Sequence, residues 1–208
     1  MLHTKTVEAG TLDLIERLMA DTALNDFFMV GGTALSLLIG HRISVDIDLF
    51  SKKDFDSVAL SQYLEQQHLM TDTKTIRNGI LGFIDNIKID IIAHKYPLIK
   101  PLVITDGIRM ASLEDIGAMK LNAIVGSGNR LKDFVDMYYL FEHIPFRDLG
   151  KAYEQKYPNV NIQMAENGLL YFNDIDHSVS IKLTQGSLEW KKVNKRLQQA
   201  VLTPFKIF

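Results

Sequence analysis

Two aspartates, Asp46 and Asp48, lie two residues apart in segment 43–50, where apolar and polar residues alternate. Such alternation predicts a half-buried β-strand, and side chains two apart on a strand point to the same face. Two carboxylates on one buried face repel each other, so the pair requires a cation or a shared proton. Oxygen ligands favour a hard ion, so the residues predict a site for Mg²⁺ or Mn²⁺.

A third carboxylate, Asp90, lies on the polar face of a second predicted strand at residues 87–94. Three carboxylates can hold two ions about 3.5–4 Å apart, which is the arrangement used for in-line phosphoryl or nucleotidyl displacement. We therefore interpret Asp90 as a candidate third ligand beside the first two aspartates.

A glycine pair supplies a possible phosphate site. Gly31, Gly32 and Thr33 follow the apolar run 27–30 and open a predicted helix at 33–40. Glycines let the backbone approach a phosphate closely, and the start of a helix offers free N–H groups and a positive dipole end. The Thr33 hydroxyl can add a donor, so this turn and the aspartates together predict a nucleoside triphosphate site.

Each of these motifs is weak when taken alone. A Gly-Gly pair before a helix is more often a tight turn, and an Asp-x-Asp pair is more often solvated surface. The chain contains two further pairs of the same spacing without a strand context, which we interpret as surface or capping residues: Asp54 with Asp56, and Asp174 with Asp176. Only the combination of strand, glycine turn, helix and aspartate strand favours a site.

The elements that must position these residues divide the chain into two parts. We expect residues 1–108 to form an α/β core and residues 109–208 to form a helical region that packs on this core and completes the site. The predicted strands are 27–30, 43–50, 71–77, 80–85 and 87–94. The predicted helices are 8–20, 33–40, 54–69, 112–125, 130–143 and most of 146–208.

Composition narrows the class of protein. The 208 residues include no cysteine, which excludes disulfides, thiolate zinc sites and a cysteine nucleophile. The sequence has neither a G-x-x-x-x-G-K-[ST] loop nor a G-x-S-x-G turn, which disfavours a P-loop NTPase and a serine hydrolase. It has no signal peptide and no apolar run of about 20 residues, so we expect a cytoplasmic protein without membrane contact.

Several segments together resemble the AbiEii/AbiGii toxin-type nucleotidyltransferases, a branch of the DNA polymerase β-like nucleotidyltransferase superfamily. The resemblance extends over about residues 27–140, and it implies an α+β fold with a polymerase β-like core sheet and flanking helices. The segments that match in order are GGTAL (31–35), HRISVDIDLF (41–50), KIDII (88–92), DIGAMK (115–120) and RLKDFVDM (130–137).

The resemblance also implies roles for individual residues. It places Asp46 and Asp48 on Mg²⁺, and Asp133 as a catalytic or positioning acid. Nucleotide phosphates would be held by the glycine turn and by two cations, giving the set Gly31, Gly32, Thr33, Arg42 and Lys120. Asp90 fits the superfamily's third carboxylate by its strand context, and Lys132 and Asp136 match further motif positions.

The implied function is transfer of a nucleoside monophosphate from an NTP such as ATP to an acceptor hydroxyl. Family members commonly act as the toxin of a toxin–antitoxin or phage-defence pair, and some relatives are reported to modify tRNA ends. We therefore expect an NTP substrate, an RNA or tRNA acceptor, and a cognate antitoxin as partner. Two alternatives stay open: a small-molecule nucleotidyltransferase of the antibiotic-modifying type, and a catalytically silent nucleotide-binding partner protein.

Some residues allow a second interpretation. Asp133 and Asp136 share one helix face, which is also the pattern of a solvated acidic edge. Lys120 is the type of residue that snorkels to the surface, and Arg42 either contacts a phosphate or pairs with Asp46. Residues 146–208 match no motif, so we expect acceptor specificity there; a basic cluster beside Trp190 either meets RNA or is a solvated helix face.

Overall fold

The structure is a computed structural model that describes residues 1–208. Its centre is one seven-stranded mixed sheet with the strand order β3-β4-β5-β2-β1-β7-β6. The strands are β1 Phe27–Val30, β2 Ile47–Ser51, β3 Thr71–Ile76, β4 Gly79–Ile84, β5 Ile87–Ala93, β6 Val103–Thr105 and β7 Ile108–Met110. The helices are α1 Ala9–Ala20, α2 Gly31–Ile39, α3 Ser57–His68, α4 Leu113–Gly126, α5 Leu131–Leu140, α6 Phe146–Lys156, α7 Ile162–Leu170 and α8 Trp190–Leu202.

The middle strands bring the predicted acids together. Strand β2 pairs antiparallel with β1 and parallel with β5, so Asp48 lies opposite Val30 on one side and Asp90 on the other. Every residue of β1 is buried, as expected of an apolar strand that is covered on both faces. This register therefore places the end of β1, where α2 begins, beside Asp48, with Asp90 on the next strand.

One apolar core joins the sheet to the helices. It contains 45 buried residues, from Leu2 near the start of the chain to Ala200 in α8. Helix α4 packs against α2, α5, α6 and α7, and so links the helical part to the strand–helix unit that carries the glycine turn. The division at residue 108 remains a prediction, because this core is continuous across it.

Local sequence signals explain how several elements begin and end. Ser112 caps α4, since its hydroxyl oxygen accepts the Asp115 N–H at 3.0 Å as the capping motif predicts. Gly40 ends α2 in the left-handed conformation, with φ +76°. The β3–β4 hairpin turns at Asn78, which has φ +57°, as its Asn-Gly sequence indicates.

The structure differs from the predicted elements in three places. Strand β2 begins at Ile47 rather than residue 43, because the Ile43 N–H donates to Lys182 O instead of a sheet neighbour. The short strands β6 and β7 were not predicted. Residues 171–189 form no α-helix, although residues 146–208 were predicted to be mostly helical.

None of the helices combines the length and the apolar character that crossing a bilayer demands.

Candidate active site

A cleft of about 310 Å³ opens where β1 passes into α2. Its walls come from β1, β2, β5, α4 and the start of α5. Most of the predicted site residues line it, namely Gly31, Gly32, Asp46, Asp48, Asp90, Lys120 and Asp133. Two predicted nucleotide-binding residues, Thr33 and Arg42, do not line the cleft and lie buried behind it.

The carboxylates of the cleft have few partners. The carboxylate groups of Asp46 and Asp48 form no ion pair and accept no hydrogen bond from the protein. Asp90 accepts a 2.5 Å hydrogen bond from Lys88 Nζ at one oxygen, whereas its other oxygen, Oδ1, is buried without any partner. This part of the cleft therefore holds more negative charge than its own cations balance.

The pKa of Asp48 reflects this imbalance. Burial raises it, nearby Asp90 raises it further, and Lys120 only partly opposes them, so that the pKa lies at about 6. An acid with a raised pKa is one whose charged form the folded protein destabilises. A bound cation is the simplest way to relieve that cost.

Glycine is required at both positions of the turn because neighbouring side chains approach the backbone closely there. Gly31 has φ +72°, and a Cβ there would overlap Asp48 Oδ2. A Cβ on Gly32 would overlap the guanidinium of Arg42. The turn therefore brings bare backbone against the aspartates, which leaves the first N–H groups of α2 without any side-chain cap and available to an anion.

The hydroxyl of Thr33 is used in contacts within the protein and is not free to bind a ligand. Its side chain is buried, its hydroxyl donates to the Asp46 carbonyl oxygen, and it lies 2.9 Å from Ser44 Oγ. In this arrangement Thr33 fixes the backbone of Asp46 and does not face the cleft as a phosphate donor.

Behind the cleft lies a buried network of charges centred on Asp136. This carboxylate accepts from Arg42 Nε at 2.6 Å, lies 2.7 Å from Lys120 Nζ and 2.8 Å from His41 Nε2. Lys120 also donates to Asp133 at 2.6 Å. Burial alone would raise the pKa of Asp136, but Lys120 and Arg42 outweigh it and hold that pKa well below its ordinary value.

This network decides between the alternatives left open by the sequence. Arg42 forms its ion pair with Asp136 and none with Asp46, so its role in phosphate binding stays a prediction. Lys120 is buried rather than snorkelling, and its ammonium is shared by Asp133 and Asp136. Neither aspartate is a solvated edge, because their side chains are 2% and 0% exposed.

Two accessible cations of the cleft were missed as site residues by the sequence analysis. The side chains of Lys88 and Arg130 are 45% and 65% exposed and both line the cleft. Arg130 Nε lies 3.6 Å from Asp133 Oδ2, and Lys88 precedes Asp90 by two residues on β5. Strand alternation could have found Lys88, and the three-residue helical spacing from Asp133 could have found Arg130.

Carboxylate oxygens are donors of the kind that a hard divalent cation prefers. No group of three or more His, Asp or Glu side chains is arranged to hold a metal ion by itself, and Asp90 as a third ligand stays a prediction. Asp46 and Asp48 still fit Mg²⁺, which proteins often bind through one or two carboxylates together with substrate phosphates and water.

The fold is that of known nucleotidyltransferases. One similar crystal structure is that of a candidate nucleotidyltransferase from Helicobacter pylori. It aligns with 96% of this chain and with 92% of its own chain, at a TM-score of 0.58 and 18% sequence identity. The JHP933 protein of Helicobacter pylori aligns with 94% of this chain and 92% of its own, at a TM-score of 0.57 and 17% identity. The predicted polymerase β-like α+β fold is confirmed.

The sequence places the chain within this class. Residues 13–204 match the family described as "Nucleotidyl transferase AbiEii toxin, Type IV TA system". An uncharacterized protein of Aquifex aeolicus (strain VF5) is 31% identical over 173 residues, covering 80% of this chain and 84% of the relative. The chain belongs to the AbiEii family and is a nucleotidyltransferase, which confirms the resemblance found in the sequence.

Proposed function

We propose that the protein transfers a nucleoside monophosphate from an NTP to a hydroxyl at an RNA end, and that the reaction depends on Mg²⁺. The observation that carries this proposal is the juxtaposition of Asp46 and Asp48 with the Gly31–Gly32 turn. Carboxylates without partners and uncapped backbone N–H groups face one cleft, and a triphosphate with its cation needs both.

The triphosphate would lie along the start of α2. Its β- and γ-phosphates would accept from the backbone N–H groups of the glycine turn, which the missing side chains leave open. Lys88 and Arg130 are exposed enough to reach phosphate oxygens, whereas Lys120 is held by two aspartates. We assign Lys120 the role of a fixed positive charge beside the cleft, and the two exposed cations the direct contacts.

The metal would be held by Asp46 and Asp48. When bound, Mg²⁺ would neutralise phosphate charge and help to align the attacking and leaving oxygens. Thr33 serves this site indirectly, because its hydroxyl anchors the carbonyl of Asp46 and so orients the strand end that carries both carboxylates.

The acceptor hydroxyl must lose its proton as it attacks the α-phosphorus. The attacking oxygen forms the new P–O bond, the bond to the pyrophosphate oxygen breaks, and pyrophosphate leaves with the electron pair. Asp90 Oδ1 is the better proton acceptor, because it has no hydrogen-bond partner while Asp133 is engaged by Lys120. Asp133 would then keep Lys120 in place and so act as a positioning acid.

A toxin role is supported by membership of the family, whose description is that of a type IV toxin–antitoxin toxin. We therefore propose a cognate antitoxin as the cellular partner of this chain.

The test is labelling by each α-labelled NTP with Mg²⁺ and total RNA. We compare wild type with Asp46→Asn/Asp48→Asn. Asp72→Asn/Asp106→Asn is the control: it removes the same charge from exposed residues at positive φ, where asparagine is tolerated. We expect RNA labelling with wild type and control, and a loss of roughly 10³-fold or more in the cleft variant.

Other outcomes distinguish the remaining candidates. Label in a small molecule but not in RNA would keep the enzyme and replace the acceptor. An unchanged rate for the cleft variant would contradict the assignment of Asp46 and Asp48. NTP binding without label in any product would indicate a silent nucleotide-binding protein.

A further inference from the structure

A second cavity, of about 330 Å³, lies outside the active site. It is enclosed by the start of α5, the non-helical residues 177–188 and the first turn of α8. Eight of its eleven lining residues are hydrophobic, and Trp190, the protein's single tryptophan, is among them. The volume is at the small end of the roughly 300–1,000 Å³ of small-molecule sites, so it suits one ring system.

The indole of Trp190 is held in a fixed position. The rings of Phe172 and His177 meet it edge-on, with centroids 5.4 Å and 5.0 Å away, and Phe134 lies 6.2 Å away in the same manner. Phe134 belongs to the buried core, whereas His177 is exposed and lines the cavity beside the indole. Trp190 remains partly exposed, so it can offer a surface for stacking.

The outer wall of this cavity is pinned at both ends. Asp176 N–H donates to Asn129 O at 3.0 Å, and Ile43 N–H donates to Lys182 O at 2.7 Å. Leu183, which lines the cavity, forms a β-bridge with Arg42, the residue that pairs with Asp136 behind the active site. The cavity is therefore preformed and is tied to the strand end that carries the catalytic aspartates.

A basic groove joins this cavity to the active-site cleft. Arg130 lines both the cleft and the groove, and Leu131 and Val179 line both the groove and the cavity. Lys132 also lines the groove and forms no ion pair or side-chain hydrogen bond. The Asp176 carboxylate at the groove is occupied, since one of its oxygens accepts from both the N–H and the hydroxyl of Ser178.

The geometry points to this cavity as the binding site for an unpaired base of the RNA acceptor, upstream of the nucleotide that reacts. This inference rests on the proposed function. A single strand is bound by cations that follow its phosphates and by aromatic rings that stack its bases, and the groove followed by Trp190 provides that sequence of contacts.

A protein partner fits this site less well. A stable protein interface takes about 800 Å² from each partner, whereas this cavity is small, concave and followed by the cations Lys132 and Arg130. The acceptor strand would place a base against Trp190 and a phosphate at Lys132, with Arg130 between that phosphate and the triphosphate. Its terminal hydroxyl would then reach the cleft that holds Asp46 and Asp48.

The fluorescence of Trp190 reports directly on the cavity. We would titrate the full chain with a short single-stranded oligoribonucleotide, with a polyphosphate of matched charge and with AMP. We expect saturable quenching by the RNA and none by polyphosphate. RNA binding without a change in fluorescence would overturn the assignment, and quenching by AMP as tight as by RNA would replace the RNA site with a small-molecule site.

Variants test the site without removing the packed indole. Val179 is exposed where groove and cavity meet, so Val179→Asp sets a negative charge in the path of the strand. We expect roughly tenfold weaker RNA binding, whereas Val58→Asp, at an exposed valine of α3, has no effect. Equal affinities for the two variants would overturn the proposal.

Lys132→Gln tests the phosphate contact. It should reduce the slope of log affinity against log salt by about 0.7, the value for one phosphate of a single strand. Lys74→Gln, at an exposed lysine of β3, should leave the slope unchanged, and an equal slope for wild type and Lys132→Gln would contradict the groove. NTP binding should be unaffected throughout, so quenching by RNA without any nucleotide transfer would overturn the proposed function while keeping this site.

Discussion

The two groups of charges around the cleft are built in opposite ways. In front, Asp46 and Asp48 have no protein partner, and the pKa of Asp48 is raised to about 6. Behind, Asp136 is surrounded by Arg42, Lys120 and His41, and its pKa is held well below its ordinary value. This difference indicates that Asp46 and Asp48 are available to bind a ligand, whereas Asp136 and its partners stabilise the fold.

The largest expected effect comes from breaking the rear group. Asp136→Leu leaves Arg42 and Lys120 buried without their shared anion, and we expect a loss of about 3–5 kcal/mol in the free energy of unfolding. Urea denaturation measures it, with Asp13→Leu on the exposed face of α1 as the control. A loss below about 1 kcal/mol would mean that the two cations find other partners.

The front group should respond in the opposite direction. A raised pKa means that the folded state disfavours the Asp48 carboxylate, so stability falls as pH rises from about 4 through 6. Asp48→Asn removes that cost, and we expect a gain of about 2 kcal/mol at pH 8 with a chelator present. Urea denaturation at pH 4 and pH 8 tests this; a destabilised variant at pH 8 would contradict the comparison.

A divalent cation should stabilise the protein by binding to Asp46 and Asp48, and it should have no such effect through the charges around Asp136. At ten times its dissociation constant, a ligand bound solely by the folded state contributes about 1.4 kcal/mol. We expect Mg²⁺ to raise the melting temperature of wild type, EDTA to reverse the rise, and Asp46→Asn/Asp48→Asn to show none. The same rise in Asp46→Asn/Asp48→Asn as in wild type would place the ion elsewhere.

His94, a partly buried histidine, avoids the cost of a buried charge by staying neutral. Burial, and then Lys156, lower its pKa to about 4, while its ring stacks on Phe50 of the cleft with centroids 4.9 Å apart. Because the unfolded chain binds the proton more tightly, stability should fall as pH drops below about 6.5. Between pH 7.5 and 5.5 we expect His94 to contribute a loss of about 1 kcal/mol, after allowance for partial exposure, and Asp48 to contribute a gain of opposite sign.

His94→Gln should remove the His94 contribution, so that the variant becomes more stable relative to wild type as the pH falls from 7.5 to 5.5. His143→Gln changes an exposed histidine and should keep that contribution. The measurement is urea denaturation of the three proteins at both pH values, and an identical slope for all three would show that other groups control the dependence.

The front group could be predicted from sequence because its information is local. Alternation reveals that Asp46 and Asp48 share a strand face, and Gly31-Gly32 marks the start of a helix after an apolar strand. The contact of β2 with β5 was not needed to propose Asp90, since β5 carries its own alternation. The ion pair of Asp90 with Lys88 depends on side-chain placement that alternation does not specify.

The rear group could not be predicted because its partners are distant along the chain. Arg42 and Asp136 are 94 residues apart, and each looks like an ordinary surface charge in its own segment. The irregular residues 171–189 present the same difficulty, since their hydrogen bonds reach back to residues 40–43 across about 140 positions. Periodicity describes one element at a time and cannot report such pairings.

The β-bridge between Arg42 and Leu183 also restricts which segments can be exchanged between this protein and its relatives. Residues 171–189 are an obvious segment to exchange when a new acceptor preference is wanted, because they form an irregular stretch between two helices. Their main chain, however, is hydrogen-bonded to the segment that presents Arg42 to Asp136. We expect a chimera to keep the position of Arg42 only when its new segment still forms the main-chain pairing of residues 182–184 with residues 41–43.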